Sequence, residues 1–321
     1  MMTFYRIGEP GVACLDLDSC PVLTEGAVWI DLFEPSHDEE KTVEAALGFE
    51  VPTREEMQKI EISRRLYREK DILFMTATIL SKADTSHPES SAVTFILAPR
   101  QLVTVRYADP IPFQNFRKRI EANGKQYDSP VKIFEGLIDA IVERLADILE
   151  KVGLELDSVS LEVFAPSTKP SRIKPQRRDF DKILRRVGRC SDLISKARES
   201  LVSLGRLISF FNETPKPELH MKTVLSDVTS LSDHASFIST KVNFLLDATL
   251  GLINNEQNGI IKIVSVAAVV FLPPTLVASV YGMNFDVMPE LKWVLGYPFA
   301  IFLMISSAVL PYVFFKRKGW L

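Results

Sequence analysis

The chain has 321 residues, 46% hydrophobic and 25% charged, with 38 Lys+Arg against 41 Asp+Glu and a formal net charge of −3; its mean hydropathy is +0.09 and its pI about 5.9. A positive hydropathy average beside an ordinary charge fraction implies that apolar and charged residues are segregated along the chain, and the length allows about two domains of ordinary size. An acidic balance without Lys/Arg clusters interleaved with aromatics argues against nucleic-acid binding, which rests on basic side chains displacing counterions from phosphate.

The first residues, Met1-Met2-Thr3-Phe4-Tyr5-Arg6, lack the basic-then-apolar pattern of a signal peptide, so the large N-terminal part is expected to stay on the side where it is made. From residue 1 to about 110 short runs rich in Val, Ile, Phe and Thr read as strands: Phe4 to Ile7, Ala27 to Leu32, Ile72 to Leu80, Ala92 to Leu97 and Leu102 to Tyr107. Between them Ser36, with Glu39 three residues on, forms a capping box, and Thr53 precedes Glu55-Glu56 as a second helix start. This is an α+β domain, a mixed sheet flanked by helices. After Pro110 and Pro112 the pattern turns helical. Three long helices are expected, Pro130 to about Phe164, about Arg178 to Asn212, and about Glu218 into an apolar run, with turns at Pro166 to Pro175 and Pro215-Lys216-Pro217. The third, at 1.5 Å per residue, would be roughly 96 Å long.

Two runs contain no charge: 263–281, 19 residues, and 293–315, 23 residues. Crossing ~30 Å of hydrocarbon takes roughly 20 apolar residues, so both are expected to span a membrane. The expected organisation is an α/β domain at 1–110, a helical part at 111–217, a stalk helix at 218–262, spans at 263–281 and 293–315, a loop at 282–292 and a basic tail at 316–321. Residues 1–262 hold 34 of the Lys+Arg and 39 of the Asp+Glu. Lys262 flanks the first span and Lys316, Arg317 and Lys318 the second, while the loop carries Asp286, Glu290 and Lys292; the positive-inside rule then places both termini in the cytoplasm. Trp293, Tyr297, Tyr312 and Trp320 sit where an aromatic belt would lie.

Along the first spanning helix, steps of four and three give Asp247, Gly251, Asn254, Asn258, Ile261, Ser265, Ala268, Leu272, Thr275 and Ser279, and eight of these ten are small or polar. That period traces one seam of a helix. A single hairpin cannot enclose a water-filled path, so the seam implies copies of the helix around a shared axis. Small residues at this spacing also let helices pack closely, which is an alternative for Ser265, Ala268 and Ser279; Asn258 and Thr275 fit that alternative less well, because polar groups near hydrocarbon need polar partners. Pro273-Pro274 should free the carbonyls of Val269 and Val270, and Leu272 would form an apolar constriction. Gly282 is expected to leave the helix with a positive φ.

The segment Tyr281-Gly282-Met283-Asn284-Phe285 between two C-terminal spans, with Met288 to Trp293, Gly296-Tyr297-Pro298 and the closing Phe315-Lys316-Arg317-Lys318-Gly319-Trp320-Leu321, resembles the CorA magnesium transporters. Lys241 to Leu245, Asn255 to Asn258 and Phe271 to Ala278 look like the proteobacterial branch of that family. The resemblance implies a homopentameric, channel-like transporter of the inner membrane for Mg²⁺, also admitting Co²⁺ and Ni²⁺. It implies a selectivity ring at Gly282, Met283 and Asn284, and a pore lined by Asn254, Asn258, Ile261, Ser265, Leu272, Thr275 and Ser279. Glu290 would concentrate cations outside. The family is thought to close when cytoplasmic Mg²⁺ fills acidic sites between subunits. Asp247 matches the stalk carboxylate, but its usual acidic partner falls at Met57-Gln58-Lys59-Ile60, so the site is expected to be lost or displaced onto Glu55, Glu56 or Glu61.

No phosphate-binding glycine loop, no catalytic Ser/His/Asp or Cys/His grouping at the membrane and no zinc pattern are found, so an enzyme is not expected, nor an organic cofactor. His37, His87, His220 and His234 lack ligand spacing, and the three cysteines, Cys14, Cys20 and Cys190, form no CxxC, which fits a reducing compartment. The expected partners are the chain itself, the bilayer and divalent cations. A zinc transporter of the same topology, or a membrane-anchored scaffold, are the alternatives; the scaffold would tolerate leucine along the seam.

Overall fold

The computed structural model describes residues 1–6, 12–14, 26–59, 61–123, 126–165, 179–213, 219–283 and 293–318. It divides into two compact units, Met1–Leu246 and Asp247–Leu321.

In the first unit seven strands form one mixed sheet: β1 (Met2–Tyr5), β2 (Val12–Cys14), β3 (Trp29–Phe33), β4 (Leu66–Glu69), β5 (Ile72–Ser81), β6 (Glu89–Leu97) and β7 (Leu102–Arg106). Their order is β2-β1-β3-β7-β6-β5-β4. Only β3 and β7 run parallel, with Trp29 opposite Leu102 and Phe33 opposite Arg106; all other pairs are antiparallel. One face carries Met2, Phe4, Ile30, Leu32, Ile96 and Val105, packed with Val43 of α1 (His37–Leu47) and Met57 of α2 (Arg54–Met57). A short helix, α3 (Ile62–Arg65), leads into β4. The other face carries Trp29, Phe95 and Thr104, covered by α4 (Ile111–Asn123), α5 (Pro130–Phe164) and α6 (Phe180–Asn212). Phe116 meets Trp29 edge-on at 5.8 Å and Phe134 meets Phe95 at 5.6 Å. The alternation of strand side chains between two faces is what lets a continuous buried run such as β7 serve both layers.

The expected caps are present. Ser36 Oγ accepts from the Glu39 backbone N–H while Glu39 Oε2 accepts from Ser36 N at 2.8 Å, and Gly48, at φ 75°, ends α1 in the left-handed conformation. Thr53 and Glu56 build the same box at α2. β2, β4 and the single turn α3 were not foreseen.

Two polar devices fix this unit. The Arg106 guanidinium, fully buried, donates from Nε and Nη2 to the Asp31 carboxylate at 3.0 and 2.8 Å and from Nη1 to Ala108 O and Asp109 Oδ1. Thr104 Oγ1 donates to Asp31 Oδ1 at 2.8 Å and accepts from Trp29 Nε1 at 2.9 Å. A buried charge is tolerated only when paired and hydrogen-bonded this fully. Second, β4 pairs only with Ile72 to Met75, leaving the far edge of β5. There α6 supplies hydroxyls: Ser200 Oγ accepts from Leu80 N at 2.9 Å and donates to Thr78 O at 2.8 Å, and Ser203 Oγ accepts from Thr78 N at 2.9 Å.

The third long helix, α7 (Leu219–Tyr281), is continuous over 63 residues. Within the first unit Lys241 reaches Asp157 of α5 at 2.5 Å and Phe244 stacks on Phe164 at 5.8 Å. The second unit holds the end of α7 and α8 (Gly296–Arg317), both long and apolar enough to cross a membrane.

Candidate functional site: the polar seam of α7

Every residue of the seam is exposed, from Asp247 through Asn254, Asn258, Ser265 and Thr275 to Ser279, with Ile261 61% and Leu272 66% exposed. The half-buried positions of the same segment, Val266, Val269, Val270, Pro273, Pro274 and Val277, fall on the far side of the helix at 3.6 residues per turn. Among the described residues one narrow face of this helix is partly covered, and the rest is open, the polar seam together with the apolar Ile260, Ile263, Val264 and Phe271. The two prolines, with Val269 and Val270 four residues before them, are half-buried, on the side of the helix away from the centre of the seam.

Thr275 Oγ1 donates to Phe271 O at 2.7 Å. Its donor is thus committed to the helix backbone, and its oxygen presents only acceptor character to the seam. Asn254 and Asn258 add amide oxygens. Neutral oxygen acceptors suit an ion that keeps its water, since Mg²⁺ dehydrates reluctantly and its bound waters donate outward.

At the end of α7, Gly282 N–H donates to Ala278 O at 2.9 Å and Met283 N–H to Val280 O at 3.3 Å. Gly282 does not take a positive φ; among the described glycines only Gly26 and Gly48 do. Its requirement is steric instead, because a Cβ there would sit 3.1 Å from Ala278 O. Asn284, Glu290 and Lys292 lie outside the described residues, as does Trp320. Trp293, Tyr297 and Tyr312 are exposed, and so are Lys262, Lys316, Arg317 and Lys318.

In the first unit Glu55, Glu56 and Glu61 are exposed near the start of α2 and α3. Glu56 is held by its capping box, and Glu61 Oε2 accepts from Arg64 Nε at 2.6 Å. Half-buried Lys59 lines a cavity of about 570 Å³ with Glu44, Glu50, Glu56, Tyr67 and Glu69, a feature the sequence alone did not reveal. Burial, followed by the charges of Glu69, Glu56 and Glu50, pushes the Tyr67 hydroxyl up to about 12. Among the described residues no group of three or more His, Cys, Asp or Glu side chains is placed to hold a metal.

An α+β unit followed by two helices of membrane-spanning length, the first with its polar face uncovered, defines a two-span membrane protein. The profile of the family described as CorA-like Mg²⁺ transporter protein matches residues 24–317, and the chain belongs to that family. It is 36% identical over 329 residues to the magnesium transport protein CorA of Sodalis glossinidius and 35% identical over 325 residues to that of Escherichia coli K12, covering 100% of each chain in both comparisons. The complete CorA structure from Methanocaldococcus jannaschii superposes with a TM-score of 0.71 at 17% identity, over 100% of this chain and 98% of that one, and so shares its fold.

Proposed function

We propose that the chain mediates Mg²⁺ influx through a pore formed by copies of itself, a homopentamer in the inner membrane with both termini in the cytoplasm. Co²⁺ and Ni²⁺ would pass by the same route. The observation that carries this reading is the uncovered polar seam from Asn254 to Ser279 on a membrane-length helix. Membership of a Mg²⁺ transporter family supports the choice of ion. Residues 1–217 form the cytoplasmic part, 218–262 the stalk, 263–281 and 293–315 the spans, 282–292 the external loop and 316–321 the basic tail.

In this reading the hydrated ion, drawn in by Glu290, meets a ring of Gly282, Met283 and Asn284, then the acceptor oxygens of the seam. Binding there must be weak enough for release. Leu272 and Ile261 interrupt the polar path as apolar rings that close by dewetting. Cytoplasmic Mg²⁺ regulates the pore through Asp247 with Glu55, Glu56 or Glu61. Glu55 is the freest candidate, since Glu56 and Glu61 have local partners; Lys59 keeps the usual acidic position from binding a cation. The chain acts by conduction, without covalent chemistry or an organic cofactor.

The test is Mg²⁺ entry into liposomes containing the purified protein, followed with an internal Mg²⁺ dye. Influx is expected in the wild type and is expected to fall about tenfold or more in Asn284→Ala with the oligomer intact. Absence of wild-type influx under an inward gradient and low internal Mg²⁺ overturns the reading, and Zn²⁺ uptake in the same vesicles would then reassign the cargo.

A further inference from the structure

The four cations that flank the spans are set apart from the paired basic groups of the first unit by their place at the ends of two apolar runs. In the first unit Arg186 is shared by Glu155 and Glu162, Arg144 pairs with Asp84, and Lys196 with Asp192. Lys262, Lys316, Arg317 and Lys318 are all exposed, and, like Lys41 and Arg198, none of them is in a salt bridge among the described residues. The nearest acid before Lys262 in sequence is Glu256, nearly two helical turns away.

Their placement is specific. Lys262 precedes the first charge-free run and the other three close the second, so consecutive antiparallel spans bring all four to one face of the bilayer. The Lys316 ammonium lies 6.0 Å from the Tyr312 ring centroid and that of Lys318 5.4 Å from the Phe314 ring. Both side chains thus fold back along α8 toward the apolar run, over aromatic rings that belong at headgroup depth. The carbonyl end of α8 adds its negative dipole and favours cations there without neutralising them.

We propose that this cluster is a binding surface for anionic phospholipid headgroups, of the phosphatidylglycerol or cardiolipin type, in the leaflet that Lys262 and the tail of α8 face. A phosphodiester with net negative charge supplies what the fold withholds, an acceptor for unpaired cations at the membrane boundary, and each basic residue near such a surface strengthens attachment about fivefold. The proposal rests on the membrane-spanning reading but not on which ion is carried.

Native mass spectrometry of the full chain, released from micelles containing equal phosphatidylglycerol and phosphatidylcholine, reads this directly. The wild type is expected to retain phosphatidylglycerol over phosphatidylcholine by about tenfold or more. The combined variant Lys262→Gln, Lys316→Gln, Arg317→Gln and Lys318→Gln loses that preference, whereas Lys262→Arg, Lys316→Arg and Lys318→Arg together keep it. Equal retention of the two lipids by the wild type overturns the proposal, a result that does not depend on how any variant folds; so does a preference undiminished in the Gln variant. Lipid preference without Mg²⁺ flux leaves this surface standing and removes the transport reading.

Discussion

Thr104 and Thr275 each set a hydroxyl among apolar residues, yet the two units satisfy them differently. In the sheet, Thr104 is fully buried, and its oxygen both donates to Asp31 and accepts from Trp29. On α7, Thr275 donates to its own backbone and is otherwise exposed, on a seam that the described residues leave uncovered. The first unit closes the polar groups of Trp29, Asp31, Thr104 and Arg106 on one another, as buried ones should be. The second leaves a stripe of small and polar residues exposed, which in the proposed reading is the difference between a scaffold and a conduit.

Removing the seam's polarity should abolish transport without unfolding the chain. Asn258→Leu, at an exposed position, is expected to lower liposome Mg²⁺ influx about tenfold or more by dewetting, with elution volume and helical circular dichroism unchanged; undiminished flux would place the ion path elsewhere. Arg106→Met should do the reverse, costing about 3–5 kcal/mol because it strands the buried Asp31 carboxylate, read as a fall in the thermal midpoint. Asp31→Leu combined with Arg106→Met should recover most of that loss, since apolar replacement of both partners is often near neutral. A smaller effect, about 1–3 kcal/mol, is expected for Ser200→Ala, which leaves Leu80 N–H and Thr78 C=O on the β5 edge without their hydroxyl partner. Smallest of all is a pH effect at Cys190. Burial, with Glu155 adding to it, pushes this thiol up to about 11. Because the thiolate is the reactive form, native alkylation of Cys190 by iodoacetamide should stay slow through pH 9 and rise only toward that value. Fast labelling at neutral pH would mean α6 does not bury it.

The long helices were legible because their signals are local: Ser129 and Pro130 start α5, and an unbroken apolar period carries α7 to Tyr281. The capping box at Ser36 and the helix start at Thr53 were legible for the same reason, while the box that Thr53 forms with Glu56 emerged with the structure. β4 was hidden because Leu66-Tyr67-Arg68-Glu69 has no clean alternation, and its hairpin turns on Lys70, a non-glycine at φ 54°. The buried pair was missed for a subtler reason. Asp31 and Arg106 lie 75 residues apart, and only the parallel pairing of β3 with β7 brings them together. The available hint was one lone charge in each of two otherwise apolar strands, Trp-Ile-Asp-Leu-Phe and Leu-Val-Thr-Val-Arg. At the seam, the period showed which residues share a face; that the side bearing the prolines is the partly covered one needed the packed structure.

The serine hydroxyls of α6 along β5 have a consequence for the self-assembly proposed above. Copies held around one axis see each other at an effective concentration near the millimolar range, where a bare strand edge would template pairing with its neighbour. With Ser200 and Ser203 already holding Thr78 N–H, Thr78 C=O and Leu80 N–H, those groups are not open to a neighbouring strand. In the proposed assembly this stretch of β5 would then not template a sheet shared between subunits.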